Sequence, residues 1–295
     1  MDEKWIDGKG TAESLRGEIA DEIKKRRTNG LAVPGLATIL VGEDPASQVY
    51  VRSKHKACQE AGIESFGFTL PADVPQEKVE GLIQDLNQDA RVHGILVQLP
   101  LPTGLDEESA LNAVSLQKDV DGFHPVNIGR LAQKGREPLF VPCTPAGVIY
   151  LLKQRLPSLA GKEAVVLGRS NIVGMPVALL LVRENATVTI CHSRTQDLPA
   201  VTARADILVA AIGKAEMVRG SWIKPGAVVI DVGVNRVEDA SQPRGYRLVG
   251  DVAFEEAVEV ASAITPVPGG VGPMTIAMLL RNTLDAAKRL DGLRS

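Results

Sequence analysis

The stretch AVVLGRSNIVGMPVALLLV, residues 164–182, decides the fold. Its first four residues form a short apolar run with two valines, which is typical of a buried parallel strand. A glycine loop then turns the chain between Gly168 and Gly174, and Pro176 suits the first turn of a following helix. A strand, a glycine loop and a helix in this order direct backbone N–H groups at a phosphate, so the stretch predicts a dinucleotide-binding fold.

The loop departs from the usual G-x-G-x-x-G pattern, and by itself it also fits an ordinary turn between a strand and a helix. Ser170 occupies the second glycine position, and the last glycine comes one residue late. The next predicted strand runs into Ser193 and Arg194, where NAD sites usually place an acid for the ribose 2′-OH. Arg169, Ser193 and Arg194 could instead bind a 2′-phosphate, which favours NADP over NAD unless the arginines are ordinary solvated charges.

Composition narrows the classes of protein. The chain has 295 residues and a formal net charge of −3, which fits about two globular domains and gives no reason to expect nucleic acid or a membrane as partner. The three cysteines are widely spaced and the four histidines show no paired-ligand spacing, so we predict no disulfide framework and no metal site. The N-terminus lacks a signal pattern, and we expect a cytoplasmic protein.

The order of predicted elements gives an α/β fold with two α/β domains that flank a cleft. Residues 1–140 alternate helices and strands and form the first domain. Residues 141–274 form a Rossmann-like dinucleotide-binding domain, with parallel strands expected at 164–167, 187–191, 207–211, 228–232 and 248–251. A helix predicted at 275–290 has an apolar stripe and is expected to pack back on the first domain.

Several side chains outside the glycine loop could carry chemistry. Tyr50 and Lys54 are four residues apart on one face of a predicted helix. Gln98 is an isolated amide at the carboxyl end of a predicted strand, where ligands of α/β sheets gather. Asp121 lies in a loop and could pair with the N–H edge of a pterin or purine. Each also fits a structural role: a solvated helix face, the cap of a turn, or a turn before a glycine.

The segment TPVPGGVGP, residues 265–273, contains three prolines and three glycines. Such a stiff loop, poor in side chains, lets the backbone approach a flat ligand closely, although a connector between domains would have the same composition. Its candidate substrate-binding residues are Pro268, Gly269 and Gly270.

Taken together, these segments closely resemble the bifunctional methylenetetrahydrofolate dehydrogenase/cyclohydrolase family. They follow the family's order over nearly the whole chain. The matching stretches are YVRSK (50–54), VQLPLP (97–102), KDVDGFHP (118–125), PCTPAG (142–147), GRSNIVGMP (168–176), CHSRT (191–195), DVGVN (231–235) and TPVPGGVGPMT (265–275). The resemblance implies that NADP+ oxidises 5,10-methylenetetrahydrofolate and that the product is hydrolysed to 10-formyltetrahydrofolate in the same cleft, within one-carbon metabolism. It also implies a homodimer joined through the dinucleotide-binding domains.

The resemblance further implies roles for individual residues. Lys54 is the general acid and base of the hydrolysis, assisted by Gln98, while Tyr50 stacks on the folate and Asp121 holds the pterin ring. The implied residues of the NADP site are Thr144, Gly168, Arg169, Ser170, Ser193 and Val234.

Two alternative functions remain open from the sequence. Another NADP-dependent dehydrogenase of small molecules, similar to shikimate dehydrogenase, would pair the same two types of domain. It would need a site for a hydroxy-acid anion, and no arginine cluster in the first domain supplies one. A non-catalytic NADP-sensing protein would have no use for Tyr50, Lys54, Gln98 and Asp121 in their motif positions.

Overall fold

The computed structural model describes residues 4–292 and has the predicted α/β character, with two compact units that each contain a parallel sheet. We name the units by their sheets. The three-stranded unit comprises residues 13–143 and 276–292, and the five-stranded unit comprises residues 4–12 and 144–275. No helix within residues 4–292 is long and apolar enough to cross a membrane. The same residues contain no group of three or more His, Cys, Asp or Glu that could hold a metal ion.

The sheet of the three-stranded unit has the order β2-β1-β3 with every pair parallel. Its strands are β1 (Gly35–Val41), β2 (Glu64–Leu70) and β3 (Gly94–Val97). The central strand β1 and its neighbour β3 are buried along their whole length, as their predominantly apolar sequences indicate. The helices before, between and after these strands in the chain are α1 (Gly8–Thr28), α2 (Pro45–Ala61), α3 (Gln76–Gln88), α4 (Glu107–Ala113) and α5 (Pro125–Leu131).

Helix α2 contains Tyr50 and Lys54, and both of its ends are fixed by the local sequence. The Asp44 carboxylate accepts a hydrogen bond from the Ser47 backbone N–H at 2.7 Å, and Pro45 occupies the first helical turn. Gly62 ends the helix in the left-handed conformation, with a φ of 80°. Both caps depend only on residues next to the helix in the sequence.

The sheet of the five-stranded unit has the order β10-β7-β6-β4-β5, and all of its pairs are parallel. The direction of winding reverses at β4, because β5 lies on one side of it and β6 on the other. The elements from the boundary of this unit onward are α6 (Cys143–Lys153), β4 (Glu163–Leu167), α7 (Gly174–Arg183), β5 (Thr187–Cys191), α8 (Leu198–Thr202), β6 (Ile207–Ala210), β7 (Val228–Asp231), β8 (Asn235–Glu238), β9 (Tyr246–Val249), α9 (Phe254–Val260), β10 (Ala263–Ile264) and α10 (Val271–Gly292).

The expectation of a sheet strand at 248–251 is wrong. Strand β9 ends at Val249 and pairs antiparallel with β8, in a separate two-stranded hairpin. The edge of the main sheet is instead taken by β10, which pairs with β7. Strand β10 has only two residues, too few to show a periodicity, and β9 has a half-exposed pattern that differs from a buried sheet strand.

The N-terminal segment belongs to a different unit from the one predicted for it. The Ile6 N–H donates to the Ile264 carbonyl at 2.9 Å, and the Ile264 N–H donates to the Lys4 carbonyl at 2.8 Å. These bonds join residues 4–12 to the five-stranded unit. Residues 276–292 of α10 belong to the three-stranded unit, where the Asn282 amide donates to the carbonyls of Val120 and Val141 at 2.8 and 3.0 Å.

The end of β7 contains a buried carboxylate whose ionisation affects stability. Asp231 is 3% exposed, and burial raises its pKa to about 7 although it accepts backbone hydrogen bonds from Gly233, Asp251 and Val252. In the unfolded chain an Asp has a pKa of about 3.9. The folded state therefore binds the proton more tightly, and the stability that this proton provides is present at low pH and lost as pH rises toward 7.

We predict that Asp231→Asn removes this contribution to the pH dependence of stability, because asparagine does not titrate. The free energy of unfolding of the parent minus that of the variant should fall between pH 5 and pH 7, by on the order of 1 kcal/mol per pH unit, and level off above. Denaturant titrations at four or five pH values measure this. Asp119, whose pKa burial raises to about 6, titrates in both proteins and cancels in the difference. A difference that is independent of pH would contradict the prediction.

Candidate active site

A cavity of about 300 Å³ lies in the five-stranded unit at the carboxyl ends of β4, β5 and β6, where the winding of the sheet reverses. Parallel α/β sheets bind ligands at this edge. The loops after the three strands provide most of the lining, which mixes apolar with polar side chains. The lining residues are Leu167, Gly168, Arg169, Ser170, Cys191, His192, Ser193, Leu198, Ala211, Ile212, Lys214, Met217 and Trp222. The volume and the mixture of apolar and polar groups suit a nucleotide.

The glycine loop after β4 fits its predicted role. Gly168 has a φ of 117°, and a Cβ atom at this residue would lie 2.1 Å from the Ala211 carbonyl oxygen, so only glycine fits. Ser170, at the position of the usual second glycine, accepts backbone hydrogen bonds from Val173 and Gly174 at 3.2 and 3.3 Å. Helix α7 begins at Gly174, and a helix start next to a glycine loop attracts phosphate.

The charges around this cavity favour a phosphate over a free ribose hydroxyl. Arg169 and Lys214 both line it, and none of the described lining residues is Asp or Glu. The turn after β5 is ordered, because His192 accepts a hydrogen bond from the Arg194 N–H and donates its own N–H to the Thr195 hydroxyl. Ser193 and Arg194 are exposed there and available to a ligand.

The three-stranded unit brings the predicted catalytic side chains together. The Lys54 ammonium on α2 donates to the Gln98 amide oxygen at 2.9 Å, directly after β3. The other end of the same amide donates to the Leu99 carbonyl at 2.7 Å, which fixes the orientation of Gln98. Lys54 is only 8% exposed. Tyr50, one turn earlier on α2, is 45% exposed, so its ring is free to contact a flat ligand.

The surroundings of Lys54 weaken its hold on a proton. Burial lowers the pKa of Lys54, while the nearby charge of Asp121 partly opposes this change. Burial raises the pKa of Asp121, and the charge of Lys54 opposes that change in turn. A lysine with a lowered pKa exchanges protons more readily at neutral pH, which suits general acid and base catalysis. Burial also raises the pKa of Cys58 to about 12 and that of Cys143 well above its usual value, so both neighbouring thiols keep their protons.

The loop that contains Asp121 is held by another carboxylate, Asp119, which is 5% exposed. Asp119 accepts backbone hydrogen bonds from Gly122, Phe123 and His124, at 3.1, 3.2 and 2.8 Å. It accepts a fourth, at 2.7 Å, from the Asn127 side-chain amide. Four donors on one carboxylate leave the loop little freedom, and Asp121 is therefore fixed near Lys54.

The remaining predicted residues lie outside these two groups. The Thr144 hydroxyl bonds to the Thr275 hydroxyl at 2.9 Å, and Val234 is 50% exposed on the chain after β7. Neither lines the 300 Å³ cavity. Pro268 lines a different cavity of about 320 Å³ in the five-stranded unit, and Gly269 and Gly270 follow it in the loop before α10. Their roles in binding stay predictions.

Comparison with known proteins identifies the family. The sequence model described as "Tetrahydrofolate dehydrogenase/cyclohydrolase, catalytic domain" matches residues 6–121, and the model of the NAD(P)-binding domain of the same proteins matches residues 142–291. The chain belongs to the tetrahydrofolate dehydrogenase/cyclohydrolase family. Its second half is thus an NAD(P)-binding domain, as the glycine loop predicts.

Other members of the tetrahydrofolate dehydrogenase/cyclohydrolase family are similar over almost the full length of this chain. The chloroplastic bifunctional protein FolD 4 of Arabidopsis thaliana is 61% identical over 289 residues, which are 98% of this chain and 80% of that protein. The bifunctional protein FolD of Geotalea uraniireducens is 58% identical over 286 residues, 97% of this chain and 99% of the relative. The crystal structure of the Trypanosoma brucei N5,N10-methylenetetrahydrofolate dehydrogenase-cyclohydrolase, complexed with NADP and an inhibitor, matches with a TM-score of 0.94 at 46% identity, covering 99% of this chain and 98% of that one.

The sequence did not reveal the residues that hold the Asp121 loop of this family member in place without facing a ligand themselves. Asp119 shares the KDVD stretch with Asp121, but the pattern alone gives no reason to separate a ligand-facing acid from a loop-forming one. Asn127 orders the next turn, because its amide oxygen accepts from the Leu139 and Phe140 N–H groups at 2.8 and 3.4 Å. A local signal for Asp119 does exist, since an acid followed by a glycine three residues later is a common turn pattern.

We predict that Gly168→Ala abolishes dinucleotide binding in this protein, because the added Cβ would overlap the Ala211 carbonyl and push apart two walls of the cavity. Gly161→Ala is a matched control: its φ is also positive, at 74°, but a Cβ there meets nothing within 4 Å. Both variants incur the strain of a left-handed alanine, and only Gly168→Ala incurs the overlap. Calorimetric titration with NADPH measures the result, and equal affinities in the two variants would refute it.

Proposed function

We propose that this protein oxidises 5,10-methylenetetrahydrofolate with NADP+ to 5,10-methenyltetrahydrofolate and hydrolyses that product to 10-formyltetrahydrofolate. It is then both an oxidoreductase and a hydrolase. The observation that supports this most is the buried Lys54 bonded to Gln98 beside Asp121, in a chain where both domains of the family match. A spectrophotometric assay of NADP+ reduction with methylenetetrahydrofolate tests the proposal directly and separates it from a sensor or from another dehydrogenase.

The oxidation places few demands on side chains. When bound, NADP+ accepts a hydride from the one-carbon bridge of the folate. The folate product is a cation stabilised by its two nitrogens, so the step releases no proton and needs no base. The protein contributes by aligning the two rings, which is an entropic contribution. The glycine loop provides a place for the dinucleotide, and the exposed Tyr50 ring offers a flat face to the folate.

The hydrolysis needs a group that first accepts a proton and then donates one, and we assign this role to Lys54. Adding water to the methenyl carbon releases a proton, and a neutral Lys54 amine accepts it. Opening the ring then breaks the bond to the departing nitrogen, which takes a proton from the same ammonium. The hydroxyl of the intermediate loses its own proton to water as it becomes the formyl carbonyl, so the reaction releases one proton overall. Gln98 orients the Lys54 nitrogen through the 2.9 Å hydrogen bond, and burial lowers the Lys54 pKa, which makes the neutral amine more accessible than it is in water. Asp121 holds the N–H edge of the pterin.

We predict that Lys54→Met lowers cyclohydrolase activity at least about a hundredfold while measurable dehydrogenase activity remains. Methionine keeps an apolar stem in the buried site but cannot transfer a proton. Lys56→Met on the same helix is the matched control, because the Lys56 side chain is 78% exposed and only forms a distant ion pair with Glu60.

Both activities should be assayed on one preparation of each variant, with folding checked by circular dichroism. A parallel loss of both activities in a well-folded Lys54→Met protein would mean that Lys54 positions the folate instead. No loss in either activity would remove Lys54 from the mechanism.

We predict that kcat/KM with NADP exceeds that with NAD at least about tenfold, which corresponds to about 1.4 kcal/mol. The reason is that Arg169 and the nearby Arg194 attract a 2′-phosphate in a cavity whose described lining has no acid. Arg169→Ala should reduce the ratio, whereas Arg27→Ala, which removes an exposed arginine from α1, should not. Equal efficiencies with the two cofactors in the parent would contradict the assignment.

We also propose a homodimer, on the basis of the family resemblance, and a role in purine biosynthesis as a source of 10-formyltetrahydrofolate. Sedimentation analysis tests the first. A cytoplasmic location stays a prediction, since relatives at 61% and 58% identity are named chloroplastic and mitochondrial.

A further inference from the structure

A buried carboxylate in the five-stranded unit, Asp251, lies behind the dinucleotide cavity. It follows β9 by two residues and is 0% exposed. One of its oxygens accepts the backbone N–H groups of Ile212 and Gly213 at 2.7 and 3.0 Å. The other accepts the Lys214 N–H and the Asn235 side-chain amide, both at 2.9 Å. The four donors match the acceptor capacity of an ionised carboxylate.

The three backbone donors are consecutive, and they form the loop that follows β6. Two of these residues, Ile212 and Lys214, line the cavity, while Gly213 between them has a φ of 66°. Asp251 does not line the cavity. Its influence on a bound ligand is therefore exerted through the position of this loop.

The same carboxylate also holds the chain after β7. The Asn235 amide that it accepts comes directly after Val234, and a Cβ atom on Gly233 would lie 2.2 Å from an Asp251 oxygen. Asp231 supports the arrangement by accepting the Asp251 N–H at 3.0 Å. The ends of two neighbouring strands, β6 and β7, are thus set by one side chain.

We propose that Asp251 is a positioning residue of the cofactor site: it sets the loop 212–214 and the chain at 233–235 in the arrangement that receives the dinucleotide. The proposal rests on the proposed use of NADP. Asparagine at this position has the same shape but only one acceptor oxygen, and its amide group would point its own hydrogens at N–H donors. The loop would then move, and the affinity for the dinucleotide would fall.

The three-stranded unit offers a matched control. Asp119 is also buried and also accepts three consecutive backbone N–H groups and one asparagine amide, but the loop that it holds contains Asp121. Asp251→Asn and Asp119→Asn therefore lose the same kinds of hydrogen bond in the two units. If these carboxylates act only on general stability, the two variants should show the same pattern of kinetic defects.

The experiment measures three quantities in the parent and in each variant. They are the Kd for NADPH, from energy transfer between Trp222 in the cavity lining and the bound nicotinamide, the KM for methylenetetrahydrofolate, and the rate of methenyltetrahydrofolate hydrolysis without added cofactor. Asp251→Asn should raise the NADPH Kd at least about tenfold and leave the other two within about twofold. Asp119→Asn should instead raise the KM for methylenetetrahydrofolate and slow the hydrolysis, and should leave the NADPH Kd within about twofold.

Failure of the inference and failure of the proposed function are distinguishable. A parent that does not bind NADPH contradicts the proposed function. A parent that binds NADPH and an Asp251→Asn variant with the same Kd overturn the inference, as does a proportional loss of all three quantities. If Asp251→Asn does not fold, Asn235→Ala removes a single donor and should raise the NADPH Kd about two- to fivefold. An unchanged Kd in that variant also overturns it.

Discussion

Each unit of this protein depends on a buried carboxylate that accepts three consecutive backbone N–H groups and one asparagine amide. Asp119 does so for the loop 122–124 and Asp251 for the loop 212–214. Moving a carboxylate out of water is costly unless hydrogen bonds replace its hydration. Here the replacement consists of backbone groups that would themselves be unsatisfied in an irregular buried loop. The carboxylate and the loop therefore stabilise each other.

Lys54, the candidate catalytic group, is also buried, but its surroundings compensate its charge less completely than those of Asp119 and Asp251. Lys54 is buried near Asp121, yet it donates a hydrogen bond to the neutral Gln98 oxygen. A neutral acceptor orients the nitrogen without stabilising its charge as strongly as a carboxylate would. Burial then lowers the Lys54 pKa, and the charge of Asp121 limits the change. A fully paired lysine would keep its proton, and an isolated one would lose it permanently, so this intermediate environment suits a group that must do both.

The sequence predicted those features whose physical causes are local. The strand, glycine loop and helix at 164–182 are predictable because each residue type there is favoured by its immediate neighbours in the chain. The caps of α2 at Asp44 and Gly62 are local in the same sense. Lys54 and Gln98 were expected to be functional, but their direct contact joins residues 44 positions apart. Asp251 reaches partners 37 to 39 positions away, and no local pattern encodes such a bond. The strand at the edge of the five-stranded sheet was also out of reach of the sequence. It is β10 and not β9, and the two residues of β10 contain too little periodicity to predict a strand.

The two proposed reactions make different physical demands, and these demands fall on different units. Hydride transfer needs alignment, and the features that serve it in the five-stranded unit are geometric: a glycine that admits the Ala211 carbonyl, and a loop fixed by Asp251. Hydrolysis needs a proton acceptor that becomes a donor, and the feature that serves it is the electrostatic environment of Lys54 in the three-stranded unit. Substitutions that disturb this fit in the five-stranded unit should therefore act mainly on the first reaction, and substitutions around Lys54 mainly on the second. Because a geometric fit and a lowered pKa depend on separate sets of contacts, one chain can adjust either activity by substitutions that leave the other nearly unchanged.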